Sequence, residues 1–201
     1  MIKNIVFDIG NVLVEFRPEK VFAELGVSSE KIQGLANATV YSPLWPELDR
    51  GVMEEAAVFE KMKEATPEYA KEIDLFIEKG LGNIVSSFDY AADWLNGLQE
   101  RGYKVYLLSN YPESFFEQHS KEKFTFLPYV DGKIVSAYVK LIKPDIRIYE
   151  ELINTYGLQA EECVFLDDRE ENVEGAKKAG MKGIQFFSYE DAVNQLEEML
   201  R

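Results

Sequence analysis

Apolar residues in this chain gather in short, near-continuous runs separated by stretches of helical period. The runs NIVF (4–7), KVYLLS (104–109), CVFL (163–166) and GIQFF (183–187), with a weaker KIVSA at 133–137, are four to six residues long. Runs of that length without alternation suit strands buried on both faces. Between them lie three helical patterns, at 90–102, 144–157 and 171–180. The first and last stop on Gly102 and Gly180, and the second opens with Pro144 at a first-turn position. Strand alternating with helix predicts an α/β fold with a parallel sheet. Residues 16–82 break the rhythm, with helical patterns at 18–26, 28–38, 54–65 and 67–80 and no strand. The expected organisation is therefore a core formed by residues 1–15 and 83–201, with a helical cap, residues 16–82, inserted after the first strand.

Composition narrows the class. A chain of 201 residues that is 46% hydrophobic buries one good core and a small accessory subdomain. The formal net charge of −14 argues against nucleic acid and against an anionic membrane surface, because binders of either display clustered Lys and Arg. A single cysteine, Cys163, excludes an internal disulfide, and no apolar run reaches the length of a membrane span. A cytoplasmic protein, monomer or homodimer, is expected, with a small molecule as its partner.

In open parallel sheets ligands bind outside the carboxyl ends of the strands, so those ends are where chemistry is sought. The first strand runs into Asp8, the second into Ser109 and Asn110, and the fourth into Asp167 and Asp168; Lys143 and Pro144 open the helix after the weak strand. Each has a plain structural reading alone: an Asp-x-Gly turn, a Ser-Asn helix cap, a solvated lysine, a capping box from Asp168 to Glu171. Their joint order, each at the same end of successive elements, is harder to reach by chance.

That order resembles the four-motif signature of the haloacid dehalogenase (HAD) superfamily of phosphohydrolases. FDIGNVLV (7–14) is similar to the first motif, LLSN (107–110) to the second, IKPD (142–145) to the third and FLDDREENVEGAKKAG (165–180) to the fourth. The wording FD-x-GNVLV together with FLDDREENVEGAKKAG is similar to the branch containing sugar-phosphate phosphatases and the phosphatase domains of epoxide hydrolases. The resemblance implies a Rossmann-like HAD core with a helical cap, and a Mg²⁺-dependent phosphatase acting on a small phosphorylated metabolite. Asp8 would be the nucleophile that forms an aspartyl-phosphate. Asp8, Asp168 and the carbonyl of Gly10 would hold Mg²⁺. Asp167 and Asn172 would stand behind them, with Asp167 orienting metal-bound water or Lys143. Ser109 and Asn110 would serve the phosphate, and Lys143 would balance the charge of Asp8 and phosphate.

Gly10 departs from the common pattern, in which an aspartate two residues after the nucleophile protonates the leaving oxygen. Without that side chain, good leaving groups should be favoured: a sugar 1-phosphate over the matching 6-phosphate, and aryl phosphates over both. The glycine also opens two rival readings, a metal-independent 2-haloacid dehalogenase and a phosphometabolite-binding protein with little turnover. Asp167-Asp168 argues against the dehalogenase, since paired acids repel a carboxylate substrate and suit a cation. In the cap, Arg17, Trp45, Asp49 and Arg50 are candidate substrate contacts. His119 reads as a surface residue of a polar run, and Cys163 as core packing.

Overall fold

A computed structural model describes all 201 residues, Met1–Arg201. The elements, in chain order, are β1 (Asn4–Phe7), β2 (Val14–Phe16), α1 (Pro18–Glu24), α2 (Ser29–Ala38), α3 (Trp45–Arg50), α4 (Glu55–Ala65), α5 (Ala70–Lys79), β3 (Val85–Ser87), α6 (Tyr90–Glu100), β4 (Lys104–Ser109), α7 (Glu113–Glu122), β5 (Gly132–Val135), α8 (Ser136–Val139), α9 (Ile146–Tyr156), β6 (Cys163–Asp167), α10 (Glu170–Lys178), β7 (Lys182–Gln185) and α11 (Tyr189–Leu200).

Five strands form a wholly parallel sheet in the order β5-β4-β1-β6-β7. The chain leaves β1 towards β4 and β5, then crosses back to β6 and β7. The connections after β1 and β6 thus diverge, opening a crevice at the carboxyl ends of those two strands. Both faces of the sheet are covered, which accounts for the unbroken apolar runs. Ile5, Phe7, Val105, Leu107, Val164 and Leu166 belong to one buried cluster, and their neighbours Val6, Tyr106, Leu108 and Phe165 to another on the opposite face. Helices α9 and α10 cover the second face, through Ile148, Tyr149, Leu152 and Ala176. The first face is shared by α6 and α11 and runs on without a break into Phe22, Leu48 and Phe76 of the helical insertion.

Between β2 and β3 the chain holds five α-helices and no strand. These two strands pair antiparallel, Val14 opposite Ser87 and Phe16 opposite Val85, in a separate two-stranded ribbon. The chain therefore enters and leaves the insertion side by side. Three-residue strands carry too little pattern to be read from sequence, and this pair escaped it. Two details differ from expectation. Pro144 precedes α9 instead of opening it, and Asp145 caps the helix by accepting the Arg147 N–H at 3.0 Å. The last strand ends at Gln185, so Phe187 lies outside it and 74% exposed. No helix is long and apolar enough to cross a membrane.

Candidate active site

Asp8 stands one residue beyond β1 and is 7% exposed. Its N–H donates to the Leu166 carbonyl at 2.9 Å, so the β1–β6 ladder itself fixes where its side chain starts. One oxygen, Oδ1, accepts the Ser109 hydroxyl at 2.7 Å and lies 2.8 Å from Lys143 Nζ. Lys143, 3% exposed, also reaches Asp167 Oδ2 at 2.6 Å. Its loop is pinned by a reciprocal pair: the Lys143 N–H donates to Asn110 Oδ1 at 2.8 Å, and the Asn110 amide donates to the Lys143 carbonyl at 3.1 Å. Asn110 therefore joins the ends of two motifs and caps no helix.

Asp167 is fully buried and spoken for on both oxygens. It accepts from the Asn172 amide at 3.0 and 3.1 Å and from the Arg169 N–H at 2.9 Å, besides its ion pair with Lys143. Asp168 has a different environment. Its Oδ2 accepts the Asn11 amide at 3.0 Å, and Asn11, in the left-handed region at φ 54°, accepts the Phe16 N–H on its own Oδ1. Asn tolerates that backbone better than other side chains. Asn11 so ties the first motif to the fourth, a role the sequence reading missed although an Asn after Gly is a turn signal.

Burial pushes the Asp8 carboxyl well above the ordinary carboxylate range, with Asp167 adding to the rise and Lys143 opposing it. Asp168 is likewise raised by burial, against the Asn11 hydrogen bond. For Lys143, burial works to lower the pKa, but Asp167 and Asp8 outweigh it and the net shift is upward. One buried ammonium thus faces an excess of carboxylate. Oxygens of Asp8, Asp167 and Asp168 lie within 4.8 Å of one another. Of these, Asp8 Oδ2 and Asp168 Oδ1 accept no hydrogen bond. Two free carboxylate oxygens beside a concentration of negative charge form a donor set that fits a hard divalent cation such as Mg²⁺.

Above these groups opens a cleft of about 250 Å³. Asp8, Gly10, Ser109, Asn110, Lys143, Asp168 and Asn172 line it from the core, while Asp167 lies beneath its floor. The insertion contributes Trp45 and Asp49. Phe16 and Phe115 complete an aromatic wall with Trp45, at ring separations of 6.4 and 6.0 Å from it. Arg17 and Arg50, expected as substrate contacts, do not line the cleft. The Arg17 guanidinium is drawn to Glu24 and to the Asn83 carbonyl, and Arg50 faces Glu47 one helical turn back at 3.8 Å.

His119, expected on the surface, is completely buried. Its Nε2 lies 2.8 Å from the Leu81 carbonyl, which can only accept, so Nε2 carries the proton and Nδ1 accepts the Tyr111 hydroxyl at 2.8 Å. The polarity of the run concealed its period: His119 falls four and three residues after Phe115 and Phe116, on the buried face of α7.

The family model for haloacid dehalogenase-like hydrolases matches residues 2–180. Among curated proteins, the chain is 26% identical over 182 residues to a sesquiterpene phosphatase of Aspergillus oryzae, covering 90% of this chain and 88% of that one. It is 27% identical over 201 residues to a D-ribitol-5-phosphate phosphatase of Bacteroides thetaiotaomicron, covering 92% of each. Among solved structures, an enzyme of the same bacterium crystallised with magnesium and inorganic phosphate superposes with a TM-score of 0.72 at 23% identity, over 92% of this chain and 94% of that one.

Proposed function

The chain belongs to the haloacid dehalogenase-like hydrolase family, and from that membership we propose a Mg²⁺-dependent phosphoric monoester hydrolase that works through Asp8 on a small phosphorylated metabolite. The observation that carries the reading is the meeting of Asp8, Ser109, Lys143 and Asp168 at the diverging ends of β1 and β6.

Phosphoryl transfer asks for an in-line nucleophile and fixed positive charge around the equatorial oxygens. Asp8 supplies the nucleophile. Its Oδ1 is held by Ser109 and Lys143, which leaves Oδ2 open to the cleft. Lys143 is kept cationic by Asp167, and Asn172 and the Arg169 N–H fix Asp167 in turn. Ser109 and Lys143 then have donors for phosphate oxygens once Asp8 turns to attack. Asp8, Asp168 and the Gly10 carbonyl would hold Mg²⁺, which when bound offsets the repulsion between the carboxylate and the incoming phosphate. Asp168 is favoured over Asp167 as ligand because Asp167 has no oxygen to spare. The same crowding of carboxylates disfavours a haloacid, whose own carboxylate would enter a site already short of cations.

Residues between the two strands of the β2–β3 ribbon form the lid of this reading, and the aromatic wall that its Trp45 makes with Phe16 and Phe115 receives the organic part of the substrate. Such a wall suits an apolar body or the face of a ring, as in a sugar 1-phosphate. The relatives' substrates, a sesquiterpene phosphate and a sugar-alcohol phosphate, share a phosphate on an extended organic body and fit the same division of the cleft.

The test is phosphate release from a panel of such esters with and without Mg²⁺. Asp8→Asn is expected to abolish release with the fold intact, and Asp168→Asn to weaken activity and Mg²⁺ dependence together. Wild-type rates unchanged in excess chelator would sink the metal assignment.

A further inference from the structure

We propose that Asp49, carried into the cleft by α3 of the helical insertion, is the general acid and base of this hydrolase and does the work for which Gly10 has no side chain. The assignment rests on the phosphatase reading above.

The vacancy at residue 10 is not forced by the backbone. Gly10 does not adopt a positive φ, and a Cβ built on it would meet no atom within 4 Å. The cleft beside Asp8 is open at that point, and a proton donor must come from elsewhere on its wall. Most titratable groups there are committed. Lys143 is bound between Asp8 and Asp167. The Tyr41 hydroxyl donates to Glu19 at 2.7 Å, and Tyr111 donates to His119. Arg169 pairs with Glu171, and Asp168, held by Asn11, is the residue assigned to the metal. Asp49 remains: half-buried, lining the cleft, its carboxyl free of any hydrogen bond or ion pair.

Its placement is built by the core. The Tyr111 N–H donates to Ser136 Oγ at 2.9 Å, and the Ser136 hydroxyl donates to the Asp49 carbonyl. Gly51, at φ 63°, ends α3 in the left-handed region, and a Cβ there would come within 2.9 Å of Ala137. That close approach seats the end of α3 directly on α8, and Lys140 Nζ closes it by donating to the Gly51 carbonyl. Asp49 is thus presented to the cleft while α3 is latched to the core.

The charges around Asp49 suit the role. Burial raises its carboxyl to about 7, with Asp8 adding to the rise and Lys143 and Arg169 opposing it. The other titratable group beside it, the Tyr111 hydroxyl, is given to His119. A carboxyl balanced near neutrality serves equally as acid and base.

The two half-reactions then balance. As one oxygen of the Asp8 carboxylate bonds to phosphorus, the bond from phosphorus to the ester oxygen breaks, and protonated Asp49 gives its proton to the ester oxygen, releasing the alcohol. The Asp49 carboxylate next takes a proton from water as the water oxygen bonds to phosphorus and the bond to Asp8 breaks. Phosphate leaves, and Asp8 is again a carboxylate and Asp49 again protonated.

The experiment compares wild type, Asp49→Asn and the double variant Asp49→Asn/Gly10→Asp, each checked for native folding by circular dichroism. Expected for wild type is a shallow dependence of kcat/KM on leaving-group pKa, in place of the steep one implied by Gly10 alone. In Asp49→Asn, alkyl phosphates should lose about 10²–10⁴-fold in kcat/KM while p-nitrophenyl phosphate loses less than about tenfold. Gly10→Asp should restore alkyl ester hydrolysis in that background, since its side chain has room. A carbon-13 NMR titration of Asp49 in Mg²⁺-free protein should have its midpoint near neutrality. Equal losses for alkyl and aryl esters, no loss at all, or an Asp49 midpoint near 4 would overturn the assignment. A wild type inert towards every ester would overturn the hydrolase reading itself, and the assignment with it.

Discussion

Lys143 is the side chain on which the most groups depend. Its ammonium is the one cation between two buried carboxylates, and the Phe165 ring lies 5.2 Å beneath it. Replacing it with methionine keeps much of the packing and removes the charge, so Asp167 is left buried without its counter-charge. Breaking such a pair costs about 3–5 kcal/mol. Urea unfolding of Lys143→Met should register a loss of that order, and Asp8→Asn in the same background should recover part of it, because the two sites are coupled. A loss under about 1 kcal/mol, typical of an exposed pair, would mean that the lysine does not hold the acids together. At the same scale Asp8→Asn alone should stabilise the Mg²⁺-free protein while abolishing turnover, since burial disfavours the charged carboxylate that it removes.

At the scale of elements, α7 is the strut between the core and the exit of the helical insertion. His119 donates to the carbonyl of Leu81, and Lys123, one residue past the helix, accepts the Ser87 hydroxyl on its carbonyl at 2.6 Å and donates its ammonium to Asn83 Oδ1 at 3.1 Å. Burial lowers the His119 pKa below the ordinary 6.5, the Leu81 contact opposing and Lys123 reinforcing the shift. The unfolded chain therefore takes up a proton that the folded one refuses. Stability from this group is complete above 6.5 and is lost as pH falls through the lowered folded value. The raised carboxyls of Asp8, Asp49 and Asp168 pull the other way over the same range, so the contribution of His119 is read as a difference in chemical denaturation: the stability of wild type relative to His119→Gln should fall between pH 7.5 and 5, and a constant difference would show that His119 does not contribute.

How far these elements were legible in the sequence follows from their physics. The parallel strands were readable because burial on both faces leaves unbroken apolar runs, and their ends pointed to Asp8, Ser109, Lys143 and the Asp167-Asp168 pair. The ribbon β2–β3 was not, because three residues a side carry no period and its pairing spans some seventy residues of intervening chain. His119 was misread because a polar run was judged by composition and not by its spacing from Phe115. Arg17 and Arg50 were expected at the cleft as residues of the cap, but membership of the cap says nothing about which acid a guanidinium will find, and both found glutamates within the insertion.

For the whole molecule, the decisive quantity is the excess of negative charge concentrated at one end of the sheet. Mg²⁺ that binds the folded state and not the unfolded one stabilises by mass action, about 2.7 kcal/mol at a hundredfold excess over Kd. For a chain of this size that corresponds to a rise in Tm of roughly 5–10 °C. Scanning calorimetry should find the rise in wild type and its loss in Asp168→Asn; an equal rise in both would place the bound ion elsewhere on the acidic surface.

The ribbon has one more consequence. Seen along the chain, β2 and β3 are the arms of a hairpin, and the helical insertion is its overgrown loop. The entropy of closing a loop grows only with the logarithm of its length, about 0.6 kcal/mol for each doubling. Once Val14 and Ser87 are paired, residues can be added to or taken from the distal helices at little conformational cost and without disturbing the strand that carries Asp8. The size of the insertion is then open to selection by what the cleft must enclose, which makes this the segment in which related chains can diverge in length while the sheet beneath keeps its register.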